Sequence, residues 1–244
     1  MMKEEKVSVS SKFWLCSADC LCGTLSGLIT GGGMTYFYTK YLGLDEGLAS
    51  IVWMIFAVWN ALNDPLFGYI SDRTKSKLGR RIPYIRYGAL LYGVIFILSW
   101  FLWPLGGSQT ALFVQMLVSL FFFDTFYTAI ATSLYVLPYT MAESNQARSG
   151  IFVWKIFFTL LSLAAPLVLF PLVRPDVGES ASRFQTIMIM LGVVTTLVIF
   201  FSTFFYKEKY TSDAEEAPGL WESICQCFKN RAFLVYEVIS FTVI

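Results

Sequence analysis

The sequence predicts an all-α membrane protein: a bundle of six transmembrane helices followed by the start of a seventh. Three observations predict it. Of 244 residues, 56% are hydrophobic and 14% charged, against roughly 25% charged in soluble domains. The apolar surplus, with 23 Phe, 13 Tyr and 7 Trp, needs lipid to cover it. The apolar residues fall into six runs, each near or above the roughly 20 residues that cross a bilayer. Lys and Arg gather in alternate connections between those runs. Net charge is +1, which gives no bulk electrostatic case for nucleic acid.

The elements follow in order. Residues 1–12 form a charged N-terminal segment, expected in the cytoplasm. The apolar run behind it is too long for a cleavable signal peptide and continues as a span. Span one is Phe13–Tyr38. Its Gly23, Ser26, Gly27, Gly31, Gly32 and Gly33 let helices approach closely and leave room for a solute. A short loop sets Asp45 and Glu46 near the start of span two, Leu48–Ile70. The basic loop Ser71–Ile82 leads into span three, Pro83–Trp103, and P-L-G-G-S-Q reads as a tight turn. Span four is Thr110–Tyr139, span five Ile151–Val173 and span six Phe184–Tyr206.

The bundle thus covers residues 13–206. Residues 207–230 read as a cytoplasmic linker, in which Leu220–Phe228 suits a surface helix. Residues 231–244 are apolar but too short to cross, as a truncated seventh helix would be.

Orientation follows from the positive-inside rule. With the N-terminus inside, the cytoplasmic side holds 14 of the 18 Lys and Arg residues, most of them on the Arg73–Arg86 stretch and near the two ends. The outside holds 3, Lys40, Arg174 and Arg183, and Lys155 lies within span five. The expected location is the cell membrane, multi-pass. Cys16, Cys20, Cys22, Cys225 and Cys227 lack disulfide-framework spacing. They read as small apolar side chains, with palmitoylation at Cys225 or Cys227 as the alternative.

The chemistry concentrates in span two. Asn60, Asn63 and Asp64 are spaced to share one helix face. An ionised carboxylate buried in hydrocarbon is costly, so Asp64 should face a cavity or a partner. Pro65 removes the donor that the Ala61 carbonyl would use, and a kink is expected. Amides, a carboxylate and a freed carbonyl make an oxygen-rich site, suited to Na⁺ or to a proton carried by Asp64. The bland alternative is a carboxylate that only bonds a neighbouring helix.

Span four carries a polar stripe, Asp124, Thr128, Ala131 and Tyr135. Asp124 is too deep to snorkel and is read as cavity-lining, with interhelical packing as the alternative. Lys155 either snorkels to the cytoplasmic surface or meets a solute, Asp64 or Asp124. Asp19, about two turns into span one, is either cavity-lining or interfacial. No histidine is present, which removes imidazole catalysis and imidazole metal sites. No nucleophile–base pair is visible, and G-G-G at 31–33 lacks a following G-K-[ST]. An enzyme, ATP-driven transport and a bound cofactor are therefore not expected.

Two motifs carry a resemblance. G-x-x-x-D-R-x5-G-R-R at Gly68–Arg81 resembles the loop between spans two and three of the major facilitator superfamily. N-x-x-N-D-P-L-x-G-Y-x-x-D-R with G-R-R-x-P-Y, over Asn60–Tyr84, is similar more narrowly to the glycoside–pentoside–hexuronide:cation symporters, the melibiose-carrier group. Tyr127–Thr128 with Pro138 resembles the family's span four, and R-A-F-L at 231–234 the start of its seventh span.

The resemblance implies a major-facilitator N-terminal six-helix bundle, with a C-terminal half needed to complete the pathway. It implies cation-site positions at Asp64, Asn63 and Thr128, with Asn60 standing where those carriers have a second carboxylate. It implies a sugar-site position at Tyr127, and at Lys155 the place of a sugar-contacting arginine. Thr24 stands where they have a sugar-binding Asp, and Ala131 or Ile130 where they have another, so galactoside specificity is not implied. Asp124 is a candidate for the missing charge. Asp72, Arg73, Arg80 and Arg81, with Glu143 and Arg148, resemble the family's cytoplasmic gate; positive-inside anchoring explains the basic residues equally.

The reading that results is the N-terminal half of a cation-coupled secondary transporter of a sugar or glycoside-like solute. A single span-two carboxylate favours H⁺ over Na⁺, which wants several oxygens. The alternatives are a carrier of an amphipathic or lysolipid solute and a truncated, non-transporting membrane protein.

Overall fold

Short polar caps mark where the helices begin. Ser8, Asp45, Ser108 and Ser144 each accept a backbone N–H from three residues on, satisfying donors that have no partner inside the helix. In the computed structural model, residues 6–104 and 107–209, with 229 and 231, are described. The chain divides into two units, Met1–Thr211 and Ser212–Ile244, and the helices below belong to the first. The expected linker beyond residue 209, its surface helix, the seventh helix, Cys225 and Cys227 lie outside the described residues.

Among the described residues the fold is all-α. We number the helices α1 (Val9–Tyr41), α2 (Glu46–Arg73), α3 (Ile82–Leu98), α4 (Gln109–Met141), α5 (Asn145–Val173) and α6 (Ser182–Ser202). Five are long and apolar enough to cross a membrane, and α3 is a shorter apolar helix. Its 17 residues sit at the lower limit for a span. The chain belongs to the class of all-α, multi-pass membrane proteins.

The first and third helices differ in detail from the expected spans. Span three stops at Leu98, not Trp103, because Gln115 on α4 closes a turn there. Its side chain accepts the Trp103 N–H at 3.0 Å and donates to the Phe101 carbonyl at 2.7 Å and the Tyr38 hydroxyl at 2.9 Å. Span one is not a uniform helix. Ile29–Gly33 and Phe37–Tyr41 are wide, π-helical turns, and Gly32 adopts φ 95°, a conformation that glycine reaches without steric cost. Pro65 lies within α2, which runs unbroken from Glu46 to Arg73.

Packing is symmetric in topology. α1 packs on α5 and α6, α4 on α2 and α3, and α3 on α6. Exchanging the first three helices with the last three maps this set onto itself, the pattern of nested repeats in transporter folds. The core lies where α1, α3, α4 and α6 meet, around Tyr38, Tyr92, Phe96, Trp100 and Phe184, all fully buried. Glycines permit the α1–α5 contact. A Cβ on Gly27 would stand 2.7 Å from Pro166 Cγ, and one on Gly23 2.5 Å from Ser162 Oγ. α2 and α5 occupy the ends of the contact chain. Only 11% and 6% of their most apolar stretches are buried, against 56% and 50% for α1 and α4. These two helices therefore flank a cleft that the bundle leaves open.

Candidate cation and solute site

That cleft is a cavity of about 1000 Å³ walled by α1, α2, α4 and α5. Asp19 enters from α1, Asp64 and Asp72 from α2, and Lys155 from α5. Tyr127, Thr128, Ala131 and Tyr135 come from α4, so most of the polar stripe read in span four does face one space. Apolar side chains complete the wall, among them Val136, Phe152, Ile156 and Leu160. A smaller cavity of about 340 Å³ adjoins it between α1 and α5. It shares Asp19, Tyr127, Ala131 and Thr159, and adds Ser26, Thr30 and Ser162.

Two hydrogen bonds tie α2 to α4 beside the cavity. Thr128 Oγ1 donates to Asp64 Oδ1 at 3.0 Å. Asn63 Nδ2 donates to Asp124 Oδ2 at 2.8 Å. The partners are consecutive on α2 and one turn apart on α4, so the two bonds lie as adjacent rungs. They differ in exposure. Asn63 and Asp124 are buried, whereas Asp64 is open to the cavity. Burial in the helix contact thus falls on Asn63 and not on the carboxylate beside it.

Asp124 lines neither of these two cavities; it is buried in the α2–α4 contact, where it accepts from Asn63. Asn60 shares neither rung, is exposed and lines neither cavity. The amide–amide–carboxylate face read at helical spacing is split, because α2 is rotated to seal Asn63 against α4. Thr24 is buried and lines neither cavity; its hydroxyl donates to the Cys20 carbonyl of its own helix at 2.8 Å. A threonine inside a helix has that acceptor always within reach.

Lys155 does not snorkel. Its side chain is 12% exposed and its ammonium lies 3.2 Å from Asp19 Oδ2, with the Tyr135 ring at 5.8 Å. The pair joins α1 to α5 across 136 residues of sequence, and neither Asp64 nor Asp124 is the lysine's partner. Tyr127 lines both cavities, half-buried and parallel to Phe123, with ring centroids 6.4 Å apart.

The charged loop lies at one end of the larger cavity. Arg81 forms an ion pair with Asp72, and both line the wall. Arg81 also donates to Ser71 Oγ at 3.3 Å. Arg73 lies over the Tyr69 ring at 4.0 Å. Arg148 donates to the Ala142 carbonyl at 2.8 Å and lies over the Tyr139 ring at 5.6 Å. The Arg80 amide, with those of Arg81 and Ile82, bonds the Glu208 carboxylate. Glu208 follows span six with no motif to mark it, and no sequence signal singles it out. Glu143 is exposed on the connection between α4 and α5. Of the six charged residues read as a gate, Asp72 and Arg81 alone line the cavity.

Chemically, the carboxylates on the wall are of two kinds. Asp19 and Asp72 are paired with Lys155 and Arg81. Asp64 instead has a hydroxyl, that of Thr128, as its partner. Among the described residues no cluster of three His, Cys, Asp or Glu side chains is placed to hold a metal ion.

The chain matches the family described as MFS/sugar transport protein over residues 23–242. YagG of Escherichia coli K12, named as a candidate glycoside/cation symporter, is 26% identical over 188 residues, covering 76% of this chain and 40% of its own. The uncharacterized symporter YnaJ of Bacillus subtilis is 25% identical over 244 residues, covering 98% and 52%. The sodium-dependent lysophosphatidylcholine symporter 1 of Mus musculus is 28% identical over 170 residues, covering 65% and 30%. The chain spans about half the length, or less, of these curated relatives.

Proposed function

This chain belongs to the MFS/sugar transport protein family, and from that premise we propose that it forms the N-terminal half of a cation-coupled carrier of a sugar or glycoside-like solute. The observation that carries the reading is Asp64, a carboxylate within an apolar helix, open to the cavity and held by Thr128. An ionised carboxylate resists enclosure in a low-dielectric interior. A cation or proton on Asp64 removes that resistance, so the cavity closes more readily when loaded. This preference is what couples a solute to an ion in alternating access.

Asp64 and Thr128 hold the ion, with the Asn63 carbonyl oxygen as a third donor, since its amide nitrogen is committed to Asp124. Asn60 stays outside, which leaves a small oxygen set and favours H⁺ over Na⁺. Tyr127, Lys155 and Asp19 meet the solute, and the hydroxyls of Thr132 and Thr159 add hydrogen-bonding groups. Asp72 and Arg81 close the mouth at the cytoplasmic side, with Arg73, Arg80, Glu143 and Arg148 around it. The Lys and Arg distribution supports a cytoplasmic N-terminus, and the location is the plasma membrane.

The test is uptake of a glycoside panel into vesicles under an imposed H⁺ or Na⁺ gradient, using the protein together with any C-terminal half its coding frame supplies. Accumulation driven by H⁺ is the expected result. Accumulation that follows Na⁺ and ignores pH overturns the ion assignment, and no gradient-driven uptake of any solute overturns the carrier reading.

A second reading has a specific observation in its favour. The larger cavity is walled chiefly by apolar and aromatic groups, including Tyr135, Phe152, Ile156 and Leu160. Such a wall suits the chain of an amphipathic or lysolipid solute, with the head at the Asp19–Lys155 pair. Thermal stabilisation by lysolipids and not by glycosides selects this reading.

A further inference from the structure

The basic loop ends on a carboxylate that belongs to no motif. Glu208 Oε2 accepts the Arg80 N–H at 3.0 Å, and Oε1 accepts those of Arg81 and Ile82 at 2.8 and 3.0 Å. These amides open α3, where N–H groups lack partners within the helix and the helix dipole favours an anion. Gly79, at φ 106°, turns the chain into that position, and a Cβ there would lie 2.6 Å from the Glu208 carboxylate. The glycine thus leaves the space the carboxylate fills.

The segment that carries Glu208 is itself fixed. Lys209 donates its N–H to the Thr140 carbonyl of α4 at 3.0 Å. Arg86 of α3 donates to Thr203 Oγ1 at 2.9 Å and lies 4.2 Å over the Phe204 ring. Tyr206 is buried, with its hydroxyl 2.9 Å from that of Ser202. Arg81, whose amide Glu208 holds, sends its guanidinium to Asp72 on the cavity wall.

We propose that Glu208 is a positioning residue for the mouth of the larger cavity: by holding three successive amides it fixes the Gly79–Ile82 turn so that Arg81 closes on Asp72. The segment after α6 thereby sets how open the mouth is. With the carboxylate gone, the turn gains other conformations, and an arginine on a loose turn spends less time on one partner. The proposal rests on the larger cavity being the one a solute uses, but its measurement needs no solute.

The experiment places a single cysteine by Val136→Cys on the cavity wall, in a full-length chain otherwise free of cysteine. Its reaction rate with a membrane-impermeant maleimide is read in vesicles of both orientations, with the thermal midpoint measured in parallel. E208Q is expected to raise the rate about tenfold, the shift that loss of one charge-assisted hydrogen bond gives. R81Q is expected to raise it equally, and the double variant no further, because both act on one contact. Gly79→Ala drives a methyl group into the carboxylate's place without changing charge, and raises the rate in the same direction. Because any side chain at φ 106° also strains the turn itself, Glu208→Asp, which keeps the charge but shortens its reach to the three amides, decides the question by the same reading if E208Q does not accumulate.

A lower midpoint with an unchanged rate makes Glu208 a helix cap and nothing more, which overturns the proposal. So does strict additivity of E208Q and R81Q. Vesicles that show the rate change but no uptake keep the positioning role and sink the transport reading. Vesicles that take up solute with no rate change in E208Q do the reverse.

Discussion

Asp64→Asn separates coupling from folding. The asparagine side chain has the size of aspartate and keeps an oxygen to accept the Thr128 hydroxyl, which stands 3.0 Å from Asp64 Oδ1 in the wild type. The rung survives, and stability should change by no more than about 1 kcal/mol. The charge does not survive. An uncompensated aspartate at the centre of a membrane helix costs about 2.5–3.5 kcal/mol. If closure of the cavity encloses Asp64, the empty carrier closes less readily than the ion-loaded one by roughly 70- to 400-fold. In Asp64→Asn that ratio falls to near one. Solute exchange down its own gradient then continues, while accumulation against a gradient is lost. The assay compares counterflow with gradient-driven uptake in the same vesicles, each set against the wild type. Retained accumulation in Asp64→Asn refutes the reasoning, because the coupling charge would then have to lie elsewhere.

Other outcomes follow from the same geometry. Asp124→Leu leaves the buried Asn63 amide without its acceptor and should lower stability by about 1–3 kcal/mol, while Asp124→Asn, which keeps an acceptor, should cost far less; thermal unfolding of the two variants tests this. Asp19→Asn and Lys155→Gln each leave one charge in a wall where the pair is 25% and 12% exposed. Each should cost about 1–3 kcal/mol and the double variant less than their sum, and a double-mutant cycle on thermal midpoints measures it. Gly27→Leu forces a side chain into Pro166 and should destabilise the α1–α5 contact by about 1–3 kcal/mol, read as a lower midpoint. Asn60→Asp should leave the ion preference of uptake unchanged, since Asn60 lines neither cavity; a switch to Na⁺ dependence would place it in the site after all.

Much of the fold is legible in the sequence because its signals are local. Each of the six runs of apolar residues forms a helix, with bounds shifted by a few residues where a serine or aspartate cap sets the start. The Asn63–Asp64 pair and Thr128 are legible as polar groups deep in apolar runs, and the structure joins α2 to α4 through them. The Asp72–Arg81 contact is foreshadowed by an acidic residue that positive-inside anchoring leaves unexplained.

What the sequence could not decide is the rotation of each helix about its own axis. These helices are apolar nearly all round, so hydropathy does not say which side faces a neighbour and which faces the cleft. Packing decides it. α2 turns Asn63 inward and leaves Asn60 out, α4 turns Asp124 into the helix contact and not the cavity, and α1 lets Thr24 bond its own backbone. Pairings between distant segments are equally hidden. Asp19 meets Lys155 across 136 residues, and Glu208 meets Arg80, Arg81 and Ile82 across 126 to 128. By itself the sequence determined that six apolar runs among the described residues form helices and which of them carry charge, because length and hydropathy act within a few residues. Tertiary structure decided which charges meet, because that depends on helix rotation and on contacts between segments far apart in the chain.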